Sequence, residues 1–277
     1  MTTARIDARF AALKAENRAA FVAYVMAGDP DAETALAILR GLPGAGADLI
    51  EVGFPFSDPM AEGPPIQRAA QRALKGGMTL KGTLDLVRRF RMQDGDTPVI
   101  LMGYLNPLET WGLEGFAKAA AEAGVDGLII VDCPPEEAAP LVAALDAAGL
   151  SLIRLATPTT DDRRLPTVVR GTSGFVYYVS VAGVTGVKEA DADAVAPAVA
   201  RVRAASGLPV AVGFGIRTPE RAAQVARVAD AVVVGSALVD EVASGLAVNE
   251  SVTERVLNKA ALLAKGVRSA RVEGQPA

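Results

Sequence analysis

One rhythm repeats eight times along the 277-residue chain and constrains its fold more than any other feature. A short β-branched run is followed by a loop of Gly, Pro and Asp and then by a helix-like stretch. The runs predicted as strands are Phe21–Ala27, Asp48–Gly53, Pro98–Gly103, Gly127–Asp132, Ser151–Ala156, Gly174–Ser180, Pro209–Val212 and Asp230–Gly235. Apolar strands that alternate with helices pair in parallel through right-handed crossovers. Eight such units closing on themselves predict a (β/α)8 TIM barrel, for which this length is ordinary.

Helices are predicted between the strands, and an extra N-terminal helix over residues 5–18 is indicated by Ile6, Phe10 and Leu13 at helical spacing. The other predicted helices cover residues 31–43, 65–75, 79–93, 113–123, 135–148, 160–170, 189–205, 218–228 and 237–265. A glycine ends several of them shortly before a strand, which is typical of the left-handed conformation after a helix. These glycines are Gly46, Gly124 and Gly149.

An open doubly wound sheet is the alternative arrangement of the same elements. It would be expected to carry a glycine fingerprint after its first strand, but Gly28-Asp29-Pro30 is not that fingerprint. No linker rich in Ser, Gly and Pro divides the chain. We therefore expect a single barrel domain over residues 1–267 and a frayed tail over residues 268–277.

Composition narrows the chemistry and the partners. Histidine is absent and Cys133 is the only cysteine, which excludes Ser–His or Cys–His catalysis and any multi-cysteine metal site. Any general acid–base catalysis therefore has to use Asp, Glu, Lys, Tyr or Cys133. A net charge of −4 argues against nucleic acid or an anionic membrane as partner. The N-terminus lacks a signal-peptide core and the longest charge-free run, residues 171–187, is broken by polar residues, so we expect a cytoplasmic protein.

The segment Glu51–Gln67 joins an apolar strand to a rigid loop with four prolines and two glycines. A carboxylate in an apolar run is costly unless it is paired or used, which singles out Glu51. The simplest interpretation is that Glu51 lies on an edge strand and that the loop after it is solvated. In a barrel, Glu51 would instead face the cavity with a raised pKa, and Glu62 would be the second carboxylate of an acid–base pair. Asp58, before Pro59, is interpreted as a turn cap.

Loops that follow the strands meet at one mouth of a barrel. Here they are Gly53–Gln67, Tyr104–Trp111, Asp132–Pro135, Ala182–Val187, Gly213–Arg217 and Gly235-Ser236. Backbone N–H groups that are freed by glycine or by a helix N-terminus bind phosphate, and loops after strands seven and eight often do so. Each glycine alone would be only a turn. Gly213-Phe214-Gly215 and Gly235-Ser236 together predict a phosphate site.

Four segments of the chain resemble the tryptophan synthase alpha chain family, and the resemblance extends over nearly all of the sequence. The segments are FVAYVMAGDP (residues 21–30), EVGFPFSDPMAEGP (51–64), GVTG (183–186) and GFGI (213–216). The second is highly specific, whereas the glycine segments alone indicate only a phosphate-binding barrel. The resemblance implies a lyase of the last steps of tryptophan biosynthesis, which cleaves indole-3-glycerol phosphate to indole and glyceraldehyde 3-phosphate by a retro-aldol reaction.

The resemblance also assigns roles to residues. It implies that Glu51 protonates the indole ring carbon and later helps to deprotonate the glycerol hydroxyl, and that Glu62 holds the indole N–H. Tyr177 would neighbour both carboxylates, and Thr185 would belong to a mobile loop that closes over the substrate. The residues implied for the phosphate are Gly186, Gly213, Phe214, Gly215, Gly235 and Ser236. The walls proposed for the indole ring are Tyr24, Met102 and Ile66, each of which could equally be core.

Two positions depart from the family pattern. The family has Asp where this chain has Glu62, and the added methylene moves the carboxylate by about 1 Å, a displacement that can lower a rate about a hundredfold. Val181 stands where many members have Arg, so this chain lacks the cation on which their loop closure could depend.

A beta chain that carries pyridoxal phosphate is the implied partner, in an alpha2beta2 complex, and this chain itself is expected to need no cofactor or metal. Asp58-Pro59 and the Asn106-Pro107 loop occupy positions that family members use for that contact. Two other functions stay open. One is another phosphate-binding barrel lyase or isomerase, and the other is a catalytically weak barrel that mainly binds and activates a beta chain.

Overall fold

Eight parallel strands close into one barrel in the order in which they occur along the chain, which confirms the predicted (β/α)8 fold. The computed structural model describes residues 3–180, 192–213 and 215–271. The strands are β1 Ala20–Met26, β2 Leu49–Gly53, β3 Val99–Gly103, β4 Gly127–Ile130, β5 Ser151–Ala156, β6 Val176–Val179, β7 Val210–Gly213 and β8 Ala231–Val234. Each lies within about two residues of its predicted bounds.

Helices surround the barrel. They are α1 Thr3–Ala15, α2 Ala32–Gly41, α3 Pro64–Lys75, α4 Leu80–Arg91, α5 Leu105–Trp111, α6 Leu113–Ala123, α7 Ala139–Ala148, α8 Leu165–Val168, α9 Ala192–Ser206, α10 Pro219–Ala226, α11 Ser236–Val248 and α12 Val252–Arg268. Gly46, Gly124 and Gly149 have the positive φ predicted for them, at 100°, 89° and 71°. In the described part of the chain, no helix combines the length and the apolarity that a membrane crossing requires.

Several helices differ from the prediction. Helix α5 forms where a loop was expected, because Asp132 accepts the backbone N–H of Leu105 in its first turn at 2.8 Å. The single helix predicted over residues 237–265 is interrupted between α11 and α12, where Asn249 is left-handed at φ 55° and Ser251 caps α12. Helices α7 and α8 begin later than predicted, each with a proline in its first turn, where proline is tolerated.

Alternate strand residues fill the barrel interior, as the two-residue period of a strand requires. This interior set comprises Ala20, Val22, Leu49, Ile100, Ile129, Ile153, Phe175, Tyr177, Ala211, Ala231 and Val233. Helix α1 closes its amino-terminal end, because Ile6, Phe10 and Leu13 belong to the same cluster. The rings of Phe10 and Phe175 lie 5.7 Å apart between centroids. One end of the barrel is thus plugged, and the end formed by the strand carboxyl termini stays available for a site.

The end of the chain is packed through residue 271. Helix α12 continues to Arg268, and Ala270 is buried. Arg271 donates to the carbonyls of Ala226 and Ala229 at 2.9 and 2.7 Å. Residues 268–271, expected from the sequence to fray, therefore contact the barrel helices, and residues 272–277 lie outside the described part.

Three aspartates, each just before a strand, tie that strand to its neighbour. Asp48, Asp126 and Asp230 each accept a backbone N–H at 2.8 Å, and the donors are Phe21, Val99 and Val210. Asp126 is fully buried and also pairs with Arg5 of α1 at 2.8 Å and with Arg91 of α4 at 2.7 Å. One carboxylate thus joins the plug helix, an outer helix and a barrel strand.

We expect Asp126→Ala to lower the free energy of unfolding by about 3 kcal/mol, because it leaves a buried N–H and two arginines without the carboxylate that they contact. Denaturant unfolding at neutral pH measures this. The matched control is Asp85→Ala, an exposed aspartate on α4, which should change stability by less than about 0.5 kcal/mol. Equal small effects of the two variants would contradict a structural role for Asp126.

Candidate active site

The carboxyl ends of the strands open into a cavity of about 350 Å³. Nine of the residues predicted for the site line it: Tyr24, Glu51, Glu62, Ile66, Met102, Tyr177, Gly215, Gly235 and Ser236. The volume lies in the range of small-molecule sites, and most lining side chains are apolar. These nine residues are separated by up to about two hundred positions in the sequence, and they converge at the predicted end of the barrel.

Glu51 lies at the centre of β2 and points into the barrel. Leu49, two residues earlier, belongs to the interior cluster, whereas Ile50 and Val52 pack in the outer layer against the helices. Because strand side chains alternate, Glu51 shares the inward face of Leu49. It is 2% exposed, and its Oε2 has no hydrogen-bond partner among the described residues. An unpaired carboxyl group at this depth costs folding free energy, which makes Glu51 a candidate functional residue.

Burial sets the acid–base properties of both carboxyl groups. Desolvation, with a smaller contribution from the nearby charge of Glu62, raises the pKa of Glu51 to about 8. Desolvation also raises the pKa of Glu62, which is 9% exposed, to about 7. At neutral pH Glu51 therefore keeps its proton, while Glu62 is near half ionisation. Both carboxyl groups are desolvated, and Glu51 is the more deeply buried of the two.

The loop that carries Glu62 is held from two sides. The hydroxyl of Tyr104, at the start of α5, accepts the backbone N–H of Ala61 at 3.0 Å. The side chain of Gln67, in α3, donates to the backbone carbonyl of Glu62 at 2.9 Å. Phe56 stacks on the Tyr104 ring, with 5.0 Å between centroids. These contacts fix the backbone from which the Glu62 side chain enters the cavity.

Two tyrosines cross the strand ends because glycine leaves room for them. A Cβ atom at Gly53 would overlap the hydroxyl of Tyr24, and one at Gly213 would overlap that of Tyr177. Burial, and then the charges of Glu51 and Glu62, raise the pKa of each phenol well above its ordinary value. Both phenols therefore stay protonated. Gly213 lies behind Tyr177 and is not among the cavity-lining residues, unlike the phosphate contact expected of it.

The predicted anion site lies beside these groups. Gly215 adopts φ 71°, and Gly235 and Ser236 open the 13-residue helix α11, whose N-cap residue, Gly235, makes no side-chain hydrogen bond to the helix. All three line the cavity. Strand β8 pairs with β1, which pairs with β2, so only the strand of Tyr24 separates the α11 N-terminus from Glu51. Uncapped N–H groups and the helix dipole favour an anion there.

Ten lining residues were not singled out from the sequence. They are Ala61, Val131, Leu155, Thr157, Thr159, Val179, Ile216, Arg217, Val233 and Val234. The strand positions among them could have been found by counting alternate residues along each strand. Thr157 and Thr159, whose hydroxyls lie 2.8 Å apart after β5, carry no comparable signal.

Other predicted residues cannot be located. Thr185, Gly186 and Phe214 lie outside the described residues, as does Val181. Within residues 3–180, 192–213 and 215–271, no group of three or more His, Cys, Asp or Glu side chains could hold a metal ion.

A closed (β/α)8 barrel with two buried carboxyl groups and a helix N-terminus at its mouth has the features typical of one enzyme class, the phosphate-binding barrel enzymes. Residues 10–268 match the family model described as "Tryptophan synthase alpha chain". The chain belongs to the tryptophan synthase alpha chain family. Alpha chains of this family cleave indole-3-glycerol phosphate in tryptophan biosynthesis, so the chain is a lyase of that pathway.

Individual relatives agree with this assignment. The chain is 79% identical over 271 residues to a tryptophan synthase alpha chain of Phenylobacterium zucineum (strain HLK1), covering 98% of each. It is 76% identical over 273 residues to that of Caulobacter sp. (strain K31), covering 99% of each. Tryptophan synthase subunit alpha from Legionella pneumophila str. Paris has the same fold, with a TM-score of 0.89 at 41% identity over 95% of this chain and 98% of that one. The resemblance inferred from four segments is confirmed.

We expect the stability of the wild type relative to Glu51→Gln to fall as pH rises from the ordinary carboxyl pKa of 4.5 to about 8. Over that interval the folded chain holds a proton that the unfolded chain has released, so raising the pH favours unfolding, by up to about 1.4 kcal/mol per pH unit. Denaturant unfolding of both proteins across this range measures the difference. A difference that does not change with pH would contradict the raised pKa of Glu51.

Proposed function

We propose that the chain cleaves indole-3-glycerol phosphate to indole and glyceraldehyde 3-phosphate by a retro-aldol reaction in which Glu51 and Glu62 carry the acid–base chemistry. The observation that carries this proposal is the pair of buried carboxyl groups, with pKa values of about 8 and 7, in one cavity with an uncapped helix N-terminus. Family membership supplies the substrate, and the geometry of the cavity supports the roles.

The first step is proton transfer from the Glu51 carboxyl group to the indole ring carbon that bears the glycerol chain. At neutral pH Glu51 holds this proton because burial raises its pKa to about 8. Protonation leaves a positive charge on the ring, centred at its nitrogen. The Glu62 carboxylate, ionised above a pKa of about 7, accepts the ring N–H and stabilises that charge.

The second step breaks the bond between the ring carbon and the glycerol chain. The Glu51 carboxylate, which gave its proton to the ring, now removes a second proton, that of the adjacent glycerol hydroxyl. The hydroxyl oxygen then forms the aldehyde carbonyl. The electron pair of the broken bond returns to the ring, which neutralises it and yields indole. Glu51 ends the cycle protonated, as it began, so a single residue serves as acid and then as base.

Binding groups for both halves of the substrate lie in the same cavity. Tyr24, Ile66, Met102 and Tyr177 give it an apolar wall suited to the indole ring. The phosphate binds at Gly215, Gly235 and Ser236 through backbone N–H groups. The residues assigned by resemblance alone are Gly186, Gly213, Phe214 and, for loop closure, Thr185.

The partner in this proposal is a beta chain that carries pyridoxal phosphate, in a cytoplasmic alpha2beta2 complex. The alpha-chain reaction described above needs only the proton-transfer groups of this chain. An exposed rim supports a partner at this mouth. Met60, in the loop after β2, is 80% exposed, and Trp111, at the end of α5 after β3, is 39% exposed, so two large apolar side chains lie on the surface of neighbouring loops. A structure of Mycobacterium tuberculosis tryptophan synthase includes a chain with a TM-score of 0.87 to this one at 39% identity, over 95% of this chain and 98% of that one.

We expect Glu51→Gln to lower kcat for indole release by at least about a hundredfold, because the amide cannot transfer the proton. The assay supplies indole-3-glycerol phosphate and measures indole with and without an added beta chain. Glu114→Gln, an exposed substitution on α6, is the matched control and should retain full activity. Full activity of Glu51→Gln would overturn the mechanism. Background turnover by the wild type alone, with clear stimulation of the beta chain, would favour the catalytically weak barrel.

We expect Glu62→Asp to lower kcat by about tenfold to a hundredfold, because the backbone is anchored for the longer side chain and the shortened carboxylate misses the ring nitrogen by about 1 Å. Steady-state kinetics on the same substrate measure this. Glu62→Gln keeps the length and removes the charge, so it separates the two requirements. An increase in kcat for Glu62→Asp would show that the additional methylene is a handicap in this chain.

A further inference from the structure

The cavity contains a cation that the proposed phosphate contacts do not use. Among the described residues that line the cavity, Arg217 is the only Lys or Arg. It follows Gly215 by two positions, in the connection between β7 and α10. The sequence pattern assigned phosphate binding to backbone N–H groups alone, so a basic side chain at this end of the cavity has no role in that assignment.

An ion pair sets the position of the Arg217 side chain. Its Nη1 donates to Asp240 Oδ2 at 2.8 Å, and this is its one ion pair within the described residues. Asp240 lies in α11, four residues after Ser236, and therefore on the same face of the helix one turn further on. The guanidinium group is thus held against α11 one turn beyond Ser236, near the helix end that lines the cavity.

The ion pair is too exposed to have a large role in stability. The Arg217 and Asp240 side chains are 45% and 34% exposed, and pairs of that kind contribute little to folding. Arginine, however, has five N–H donors in a fixed planar arrangement, and Asp240 engages only one terminal nitrogen. The remaining donors suit a tetrahedral oxyanion, which arginine binds with geometric selectivity.

The charge of the ligand also calls for a cation. A phosphate monoester carries between −1.5 and −2 at neutral pH, while a helix N-terminus supplies about half a positive charge. The two carboxyl groups in the same cavity add negative charge as they ionise. Backbone donors alone leave much of the phosphate charge without compensation. Arg217 supplies a full positive charge at the same helix end.

We propose that Arg217, oriented by Asp240, is a further substrate-binding residue that contacts the phosphate and selects for the dianionic half of the substrate. This inference rests on the proposed function, because it takes the ligand of the Gly215, Gly235 and Ser236 site to be the phosphate of that substrate. Arg217 follows β7, and two strands, β8 and β1, separate β7 from the strand of Glu51. We therefore expect Arg217 to affect binding and to leave the chemical step unchanged.

We expect Arg217→Gln to raise KM for indole-3-glycerol phosphate about fivefold to tenfold and to change kcat by less than about twofold. The two products serve as probes for the two halves of the substrate. Inhibition by glyceraldehyde 3-phosphate should weaken by the same factor as KM, and inhibition by indole should stay unchanged. The gap between variant and wild type should narrow at high salt, because the site is partly exposed and its charges are screened.

Two further variants complete the test. Arg221→Gln removes the same charge from α10, outside the cavity, and should leave both KM and inhibition unchanged. Arg217→Lys keeps the charge without the planar donors and should recover part of the affinity.

An unchanged KM and unchanged inhibition by glyceraldehyde 3-phosphate in Arg217→Gln would overturn the inference, as would an equal loss of indole binding. Loss of activity in Glu51→Gln alongside either result would leave the proposed function intact, so the two hypotheses fail separately. Full activity in Glu51→Gln would instead remove the proposed function, on which this inference depends.

Discussion

Closure of the parallel barrel is the constraint on which the site depends. Strand residues alternate between an interior shared by all eight strands and an outer layer covered by helices. A closed barrel has no open sheet edge, so a side chain on the inward face reaches solvent only at the two ends of the barrel. Its environment therefore depends on its position along the strand. Leu49 lies low, among apolar neighbours and the plug helix, whereas Glu51, two residues higher, borders the open cavity. The same geometry that packs the core thus desolvates the carboxyl group and raises its pKa.

Buried carboxyl groups at the two ends of the barrel differ in how many hydrogen-bond partners they have. At the amino-terminal end, buried aspartates such as Asp126 have several partners, so their charge is compensated. At the carboxyl-terminal end, Glu51 has a buried oxygen with no partner in the described chain. Natural proteins keep such unsatisfied groups where function requires them. Asp126 and Glu51 are both acidic and both buried, but both oxygens of Asp126 accept hydrogen bonds, whereas Oε2 of Glu51 has no partner among the described residues. This difference makes Glu51 the stronger candidate for a functional role.

Much of this could be predicted from the sequence, because strand and helix periods are local properties. All eight strands, the plug helix and the inward position of Glu51 follow from patterns of a few residues. Helix α5 could not be predicted, since the carboxylate of Asp132 that satisfies its first turn comes 27 residues later. The sequence also did not predict that Gly213 makes room for the ring of Tyr177, because that ring comes from the neighbouring strand. Cavity residues such as Thr159 and Arg217 lie on loops, whose course is set by tertiary contacts and not by a period.

The departure at Glu62 is best understood through its backbone anchors. A longer side chain on an unchanged loop would push the carboxylate past its target, but the position of this loop depends on Tyr104 and Gln67. Those anchors and the side-chain length can change together without altering where the carboxylate ends. Burial raises the pKa of Glu62 to about 7, and its charge adds to the raised pKa of Glu51. In this chain the longer side chain therefore places the Glu62 carboxyl group close enough to Glu51 for the two groups to be coupled electrostatically.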